Sequence, residues 1–316
     1  MRIIAFLFGL IFAGCAAAQY PLKPIRLVVP FPPGGAADLT ARVVSMPLSV
    51  QLGQPVVLDY KSGADGAIAG NEVKNAAPDG YTLLFGTNTG MCAAPALRKN
   101  PPYDPLADFT PVALVGKFGF FVFTNAGSVP AKTLAELIAY IRANSGKLNY
   151  GTGNSTSILA SAQLAAIERL DIAHIPYKGD AQASADLLGG RVQMLIGTPG
   201  TLLPHAKEGR VRALATLLPT RSPLLPEVPT MAELGQKGIS IQPFGAIYGP
   251  KGLPREVVDR LAKEVAVAMA KPDVREALGR HAFEAQSSTP AELADFHRVQ
   301  LDIWRRTVKD VGIVPD

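Results

Sequence analysis

The stretch "IRLVVPFPPGGAADLTARVV", residues 25–44, decides how the rest of the chain reads. Its apolar opening, Ile25–Val29, has the pattern of a buried strand, and a helical periodicity starts near Asp38. Between them stand prolines, two glycines and Phe31, with no nucleophile and no base. A strand that passes into a helix through glycines leaves backbone amides free to hold an anion. Pro and Gly also punctuate turns that bind nothing. Gly34 and Gly35 in succession, however, expose amides to a close approach that side chains would block. Asp38 would repel an anion there. It caps its own helix or pairs with Arg42 four residues on, and contact with a ligand amine is the alternative.

Toward the N-terminus, Arg2, the apolar "IIAFLFGLIFAG" and an A-x-A site ending at Ala18 make residues 1–18 a cleaved secretory signal. The rival reading takes "FAGC" as a loose lipobox with Cys15 bearing lipid. No later apolar run approaches the ~18 residues of a membrane-spanning helix. The mature chain is too long for one small core and comfortable for two domains. The charge of the whole chain is a mild +5, spread without a basic block, so composition gives no footprint for nucleic acid. Once Cys15 leaves with the signal, Cys92 is alone and no intrachain disulfide can form. Beside Met91 and Ala93 it reads as a small buried apolar residue.

Strand-like and helix-like segments alternate along the mature chain, the mark of an α/β architecture with mainly parallel sheets. The expected strands are "IRLVV", "PVVLDY", "YTLLFG", "FGFFVF", "KLNYG", "AHIPY", "VQMLIG", "VRALATLL" and "FGAIYG". Thr133 and Glu136 have the spacing of a capping box, as do Thr289 and Glu292, with Pro290 at the first helical position. Pro47 lies inside a helical pattern and predicts a kink or split. "KLNYGTGNSTSI" echoes the opening stretch: strand, glycine-bearing loop, helix start. The turn-rich residues 217–230 read as a connection between bodies. Two α/β bodies, each offering a helix start, imply a ligand held between them.

"GTGNSTS", residues 151–157, fits the first two glycines of a dinucleotide fingerprint, but Thr156 occupies the third position. The other reading is a small-anion site, where free amides join Asn154, Ser155, Thr156 and Ser157 as uncharged donors. Ser and Asn also cap helices routinely, so cap and site both stand. "FGTNTG" sets Thr87, Asn88 and Thr89 in a similar loop. In "HIPYKGD", Tyr177 suits a cleft wall, while Lys178 either meets a carboxylate or is simply solvated. There is no G-x-S-x-G elbow, no P-loop and no H-E-x-x-H motif. His174, His205, His281 and His297 lack metal-ligand spacing. The cysteines, histidines and carboxylates therefore call for no metal and no cofactor.

With these loops assembled, the chain resembles the Bug-type receptors, the periplasmic substrate-binding components of tripartite tricarboxylate transporters. The resemblance runs over nearly the whole mature chain, carried by "YPLKPIRLVVPFPPGGAAD", "LGQPVVLDYKSGADGAIAG", "AAPDGYTLLFGT", "PYDPLADFTPVALV", "HIPYKGDAQASADLLGGRVQML" and "LPTRSPLLPEVPTMAE". It implies a two-lobed type II periplasmic-binding-protein fold: residues 20–122 with 227–316 as a discontinuous first lobe, and 123–226 as the second. It also implies a monomeric, exported receptor that is not an enzyme. Such a receptor holds a small organic carboxylate by backbone amides and waters, then delivers it to membrane permease subunits. Residue by residue it maps onto Phe31, Gly34 and Gly35, onto Thr87 and Thr89, and onto Asn154, Ser155, Thr156 and Ser157; Tyr177 and Thr198 complete the expected ligand-binding set. The chain departs from the family pattern at "KSGADG", with Ser62 and Asp65, at "IGTPG", residues 196–200, and near Ile158, where a histidine is common. These changes point to a less polar cleft, away from amino acids and citrate and towards a more apolar carboxylate, of di- or aromatic type. An exported enzyme acting on a carboxylate and a ligand sensor for a membrane signalling protein are the rival functions.

Overall fold

The computed structural model describes residues 20–177, 179–236, 238–239 and 241–315. The expected signal segment, Cys15 and Lys178 lie outside the described residues. The first half of the chain lays down β1 (Ile25–Val29), α1 (Ala36–Leu52), β2 (Val56–Tyr60), α2 (Ala67–Lys74), β3 (Thr82–Thr87) and, after a π-helical turn at Thr89–Ala93, α3 (Ala94–Leu97) and β4 (Phe109–Phe118). The second body follows as β5 (Phe121–Asn125), α4 (Leu134–Ala143), β6 (Asn149–Thr152), α5 (Ser155–Ile167), β7 (Ala173–Pro176), α6 (Asp180–Leu188), β8 (Met194–Gly197), α7 (Leu202–Lys207) and β9 (Val211–Thr216). The chain then returns through β10 (Phe244–Pro250), α8 (Arg255–Ala270), α9 (Pro272–Gly279), β11 (Phe283–Ala285) and α10 (Pro290–Asp310).

Two sheets result, ordered β11-β4-β10-β3-β1-β2 and β7-β6-β8-β5-β9. They are mixed, not mainly parallel. β1 pairs parallel with β2 and β3, and β6 with β7 and β8, as strands joined by crossover helices do. In each sheet, however, the strand arriving from the other body inserts antiparallel: β10 between β3 and β4, and β5 between β8 and β9. This explains the internal echo. β1 with α1 and β6 with α5 are equivalent first units of two similar lobes, and both units send a helix N-terminus toward the space between them.

"FGFFVF" is not one strand. The chain leaves the first sheet at Phe118 and enters the second at Phe121, so Gly119 and Phe120 form the passage. β4 itself spans "FTPVALVGKF", a segment that Pro111 makes unlike a central strand. A register shift between Ile247 and Tyr248, facing Pro111, accommodates it, consistent with the preference of strand prolines for bulges. Pro47 does not split α1, which runs as one element through it. α8 and α10 pack on β4 and complete the first lobe. The box at Thr289 is complete, with Thr289 N donating to Glu292 at 2.8 Å and Glu292 N donating back at 3.2 Å. At Thr133 only half of it forms: Glu136 N donates to Thr133, but the Glu136 carboxylate reaches the amide of Lys132. Cys92 is fully buried, and burial pushes its thiol up, out of the reactive range.

Candidate functional site between the lobes

A cavity of about 420 Å³ lies where the two sheets meet. Three elements supply helix starts to its wall: Gly35, Ala36 and Ala37 at α1, Asn154 and Thr156 at α5, and Gly179 and Asp180 at α6. The remaining polar wall comes from Thr87, Asn88 and Thr89 after β3, and from Thr198 after β8. Phe31, Phe118 and Phe120 make the apolar wall. Phe118 ends β4 and Phe120 lies in the passage between lobes, so the connecting segment also shapes the cavity. A second hollow of about 440 Å³ adjoins it, sharing Gly35, Ala36, Asp180 and Thr198 and reaching Arg280 and His281. A smaller hollow of about 230 Å³, walled by Arg221, Arg275 and Glu284, touches none of these helix starts.

The α1 start is tightly organised. Asp38 is buried, and its carboxylate accepts from the Gly34 amide at 2.7 Å and from the Tyr60 hydroxyl at 2.6 Å. Arg42 pairs with it at 2.7 Å. Burial pushes this carboxyl up, but the Gly34, Tyr60 and Arg42 contacts together outweigh it and hold Asp38 below the usual range. Gly34 therefore spends its amide on Asp38. Its φ of +92° is one that L side chains rarely adopt, and a Cβ there would meet no atom within 4 Å. Gly34 borders the adjoining hollow, while Gly35 lines the main cavity. The amides of Ala36 and Ala37, in the first turn, face no earlier helical carbonyl and remain donors.

At α5, Asn154 is the cap: its Oδ1 accepts from Ser157 N at 2.9 Å. Ser157 also donates its hydroxyl to the Ile196 carbonyl, so it holds the helix start on β8 and does not line the cavity. Ser155 is buried but also outside the lining. The expected cluster thus divides: Asn154 and Thr156 face the cavity, and Ser155 and Ser157 support them. Asn154 both caps the helix and lines the cavity. Asn88 donates across the lobe interface to Thr156 Oγ1 and accepts from Phe244 N at 3.3 Å. Thr87 lines the cavity with its Oγ1 buried and without a hydrogen-bond partner.

Tyr177 stands apart from the lining. Its hydroxyl donates to Asp186 at 2.6 Å, and its ring packs beside Gly151, which fixes the strand β6 end from outside. Asp65, in one of the departures noted above, is exposed, lines the cavity rim and adopts a left-handed φ of 55°. Sequence reasoning missed Asp180 altogether. Asn154 Nδ2 donates to its carboxylate at 2.7 Å, and Thr198 Oγ1 approaches at 3.4 Å. Burial pushes the Asp180 carboxyl up, and these two neutral donors offset that only in part. Phe118 and Phe120 were missed too, because the run "FGFFVF" reads as core strand rather than as a bend whose aromatics face a ligand space.

This geometry can hold a small molecule with an anionic end, an apolar body and a polar far end. The tripartite tricarboxylate transporter family receptor profile matches residues 40–313. Protein BugT of Bordetella pertussis is 34% identical, over 95% of this chain and 93% of its own. A solved structure of an R. palustris protein with adipate is similar at a TM-score of 0.82 and 31% identity, covering 94% of this chain and 100% of that one. MatC from Rhodopseudomonas palustris, with bound malate, gives 0.77 at 29% identity, covering 92% and 100%.

Proposed function

The chain belongs to the tripartite tricarboxylate transporter receptor family, and from that premise we propose that it is an exported periplasmic receptor, not an enzyme. It binds a small organic carboxylate between its lobes and delivers it to membrane permease subunits. The observation that carries this reading is the α1 start: free amides at Ala36 and Ala37, with Thr87 and a phenylalanine wall on the same cavity. The amides and the helix dipole favour an anion without a formal positive charge, and the rings accept the ligand body. In this reading Phe31, Gly35, Thr87, Thr89, Asn154, Thr156 and Thr198 contact the ligand. Gly34, Ser155, Ser157 and Tyr177 position the segments that do. Adipate-bound and malate-bound relatives support a carboxylate as the ligand class.

Transport requires the ligand to favour the closed arrangement, since equal affinity for open and closed states shifts nothing. The Asn88–Thr156 bond, which joins the lobes across the cavity, is a contact that closure can reward. The test is a thermal-shift screen of the mature protein against mono-, di- and aromatic carboxylates. A ligand at a hundred times its Kd stabilises by about 2.7 kcal/mol, which for a chain of this size moves Tm by about 5 °C. The matching primary amides should give no shift. A screen in which no carboxylate moves Tm more than its amide removes the reading. Mass spectrometry of the periplasmic protein should find a mature start near Gln19 or Tyr20; a diacylglyceryl group on Cys15 would establish a lipid anchor instead.

A further inference from the structure

Asp180 sits badly in a site for anions. It opens α6 with a partly exposed residue surface on both hollows, and among the described residues its carboxylate has Asn154 and Thr198 as partners. Among the described residues no Lys, Arg or His forms an ion pair with it, whereas Asp38, Asp108 and Asp186 each have a cation within 3 Å. A carboxylate removed from water without a cation costs free energy that its two neutral contacts only partly offset. The fold nevertheless holds it firmly. A Cβ on Gly153 would come within 2.4 Å of the Asp180 amide, so the loop before α5 admits this residue only because position 153 is glycine. The cavity is thus asymmetric. Free amides and an unpartnered buried hydroxyl mark the α1 and β3 end. A carboxylate with no cation partner among the described residues marks the α5 and α6 end.

Building on the carboxylate-receptor reading, we propose that Asp180 is a specificity-determining residue that receives a hydrogen-bond donor on the ligand, opposite the ligand's carboxylate. An ammonium satisfies it best, because it supplies both the bond and the missing charge; a hydroxyl supplies the bond alone. A second carboxylate at that end meets Asp180 as a like charge, so dianions of the adipate and malate kind are excluded. Asn154 acts with Asp180, since its amide fixes the carboxylate oxygen that faces it. Selection of this kind works as much by repelling the wrong ligand as by binding the right one.

The experiment is calorimetry on the mature protein at pH 7.5 with two matched trios. One trio is 4-(aminomethyl)benzoate, 4-hydroxybenzoate and benzene-1,4-dicarboxylate; the other is 6-aminohexanoate, 6-hydroxyhexanoate and hexanedioate. In the trio that fits, the amine should bind tightest and the dicarboxylate at least tenfold more weakly than either donor-bearing ligand. Asp180→Asn should cut amine affinity at least tenfold and close the gap to the dicarboxylate. Should the wild type bind the dicarboxylate as tightly as the amine and the alcohol, the inference falls while the receptor reading stands, and this holds even if the variant does not fold. An unchanged ratio in a folded Asp180→Asn protein overturns it equally. Heat from none of the six ligands, together with a negative carboxylate screen, removes the receptor reading and this inference with it.

Discussion

Two aspartates, each in the first turn of a helix whose start lines the ligand space, have opposite electrostatic fates. Asp38 turns back from the cavity onto Gly34, Tyr60 and Arg42, and its carboxyl is held below the usual range. Asp180 turns onto two neutral donors, and burial leaves its carboxyl raised. The first negative charge is used up in building the loop that offers amides to a ligand. The second is left for the ligand to answer. Residue type and position on a helix are the same to within a turn; the partners decide what each one does.

The largest effect should come from breaking the first of the pair. Asp38→Ala strips the acceptor from the Gly34 amide and the Tyr60 hydroxyl at once. A buried orphan donor costs about 1–3 kcal/mol, but Gly34 is exposed and Tyr60 only half-buried. With the Arg42 pair also lost, urea unfolding should show a loss of about 2–3 kcal/mol. Ligand affinity should fall with it, because the strand-to-helix loop loses its tether. A loss below about 1 kcal/mol would mean that the loop is held by its prolines alone.

Next in size is a contrast between neighbours in that loop. Gly34→Val must force a branched side chain to φ +92°, a strain of about 1–3 kcal/mol that appears without any ligand present. Gly35 has an ordinary φ of −84°, and the nearest atom to a Cβ there is Pro32 O at 3.9 Å. Gly35→Val should therefore fold with near-normal Tm while its methyls enter the cavity and cut affinity at least tenfold. Equal Tm losses in both variants would erase the distinction between a glycine needed for the turn and one needed for access.

Much of this was legible in the chain before folding. The run at Ile25–Val29, the paired glycines and the later echo located both helix starts, because strand and helix periodicities are local signals. Thr289 and Glu292 marked α10 to the residue, since a capping box is written within four positions. β4 was not legible, for Pro111 and Gly116 interrupt it and only pairing with β10 and β11 compensates. Of the site, Phe31, Gly35, Thr87, Thr89, Asn154, Thr156 and Thr198 do share one cavity. Tyr177 does not, because its partner, Asp186, is nine residues away on the outer side. Asp180 was invisible for a different reason. An acidic residue in the first turn of a helix is ordinarily a response to the dipole, and nothing local shows that Asn154, twenty-six residues earlier, brings it into the cavity wall.

The two aspartates also predict a stability profile with two limbs of opposite sign. Asp180 has a folded pKa above its unfolded one, so the native state binds the extra proton and stability rises as pH falls from that raised value toward the usual carboxylate range. Asp38 has a depressed folded pKa; its stabilisation is complete above the usual range and is lost as pH falls through the depressed value. Burial holds His297 down to about 4 and lowers His174, so these imidazoles cost stability over the same fall in pH. The Asp180 limb is therefore read as the difference in Tm between wild type and Asp180→Asn. In Asp180→Asn the rising limb should disappear. Its neutral-pH stability should exceed wild type by on the order of 1 kcal/mol, because an under-satisfied charge has gone. A variant that is less stable at neutral pH than wild type would show that Asp180 serves the fold rather than the ligand.

The smallest effect separates two adjacent hydroxyls at the start of α5. Thr156 Oγ1 accepts the amide of Asn88 from the other lobe, a bond that exists only while the lobes are together. Thr156→Ala leaves that amide unanswered in the liganded form and should weaken binding by about 1 kcal/mol, roughly fivefold, with little change in the Tm of the free protein. Ser155 lines no part of the cavity, and what it can offer a ligand is its backbone amide, which survives substitution. Ser155→Ala should therefore change affinity by less than about twofold, within the ±0.5 kcal/mol of a change that removes no needed contact. The comparison is made by calorimetry on both variants with the tightest carboxylate from the screen. If Ser155→Ala costs as much as Thr156→Ala, the α5 start binds through side-chain hydroxyls and the lobe-bridging bond has no special weight. If only Thr156→Ala weakens binding, the second lobe contributes mainly by closing, and the discrimination between ligands at that end rests with Asp180.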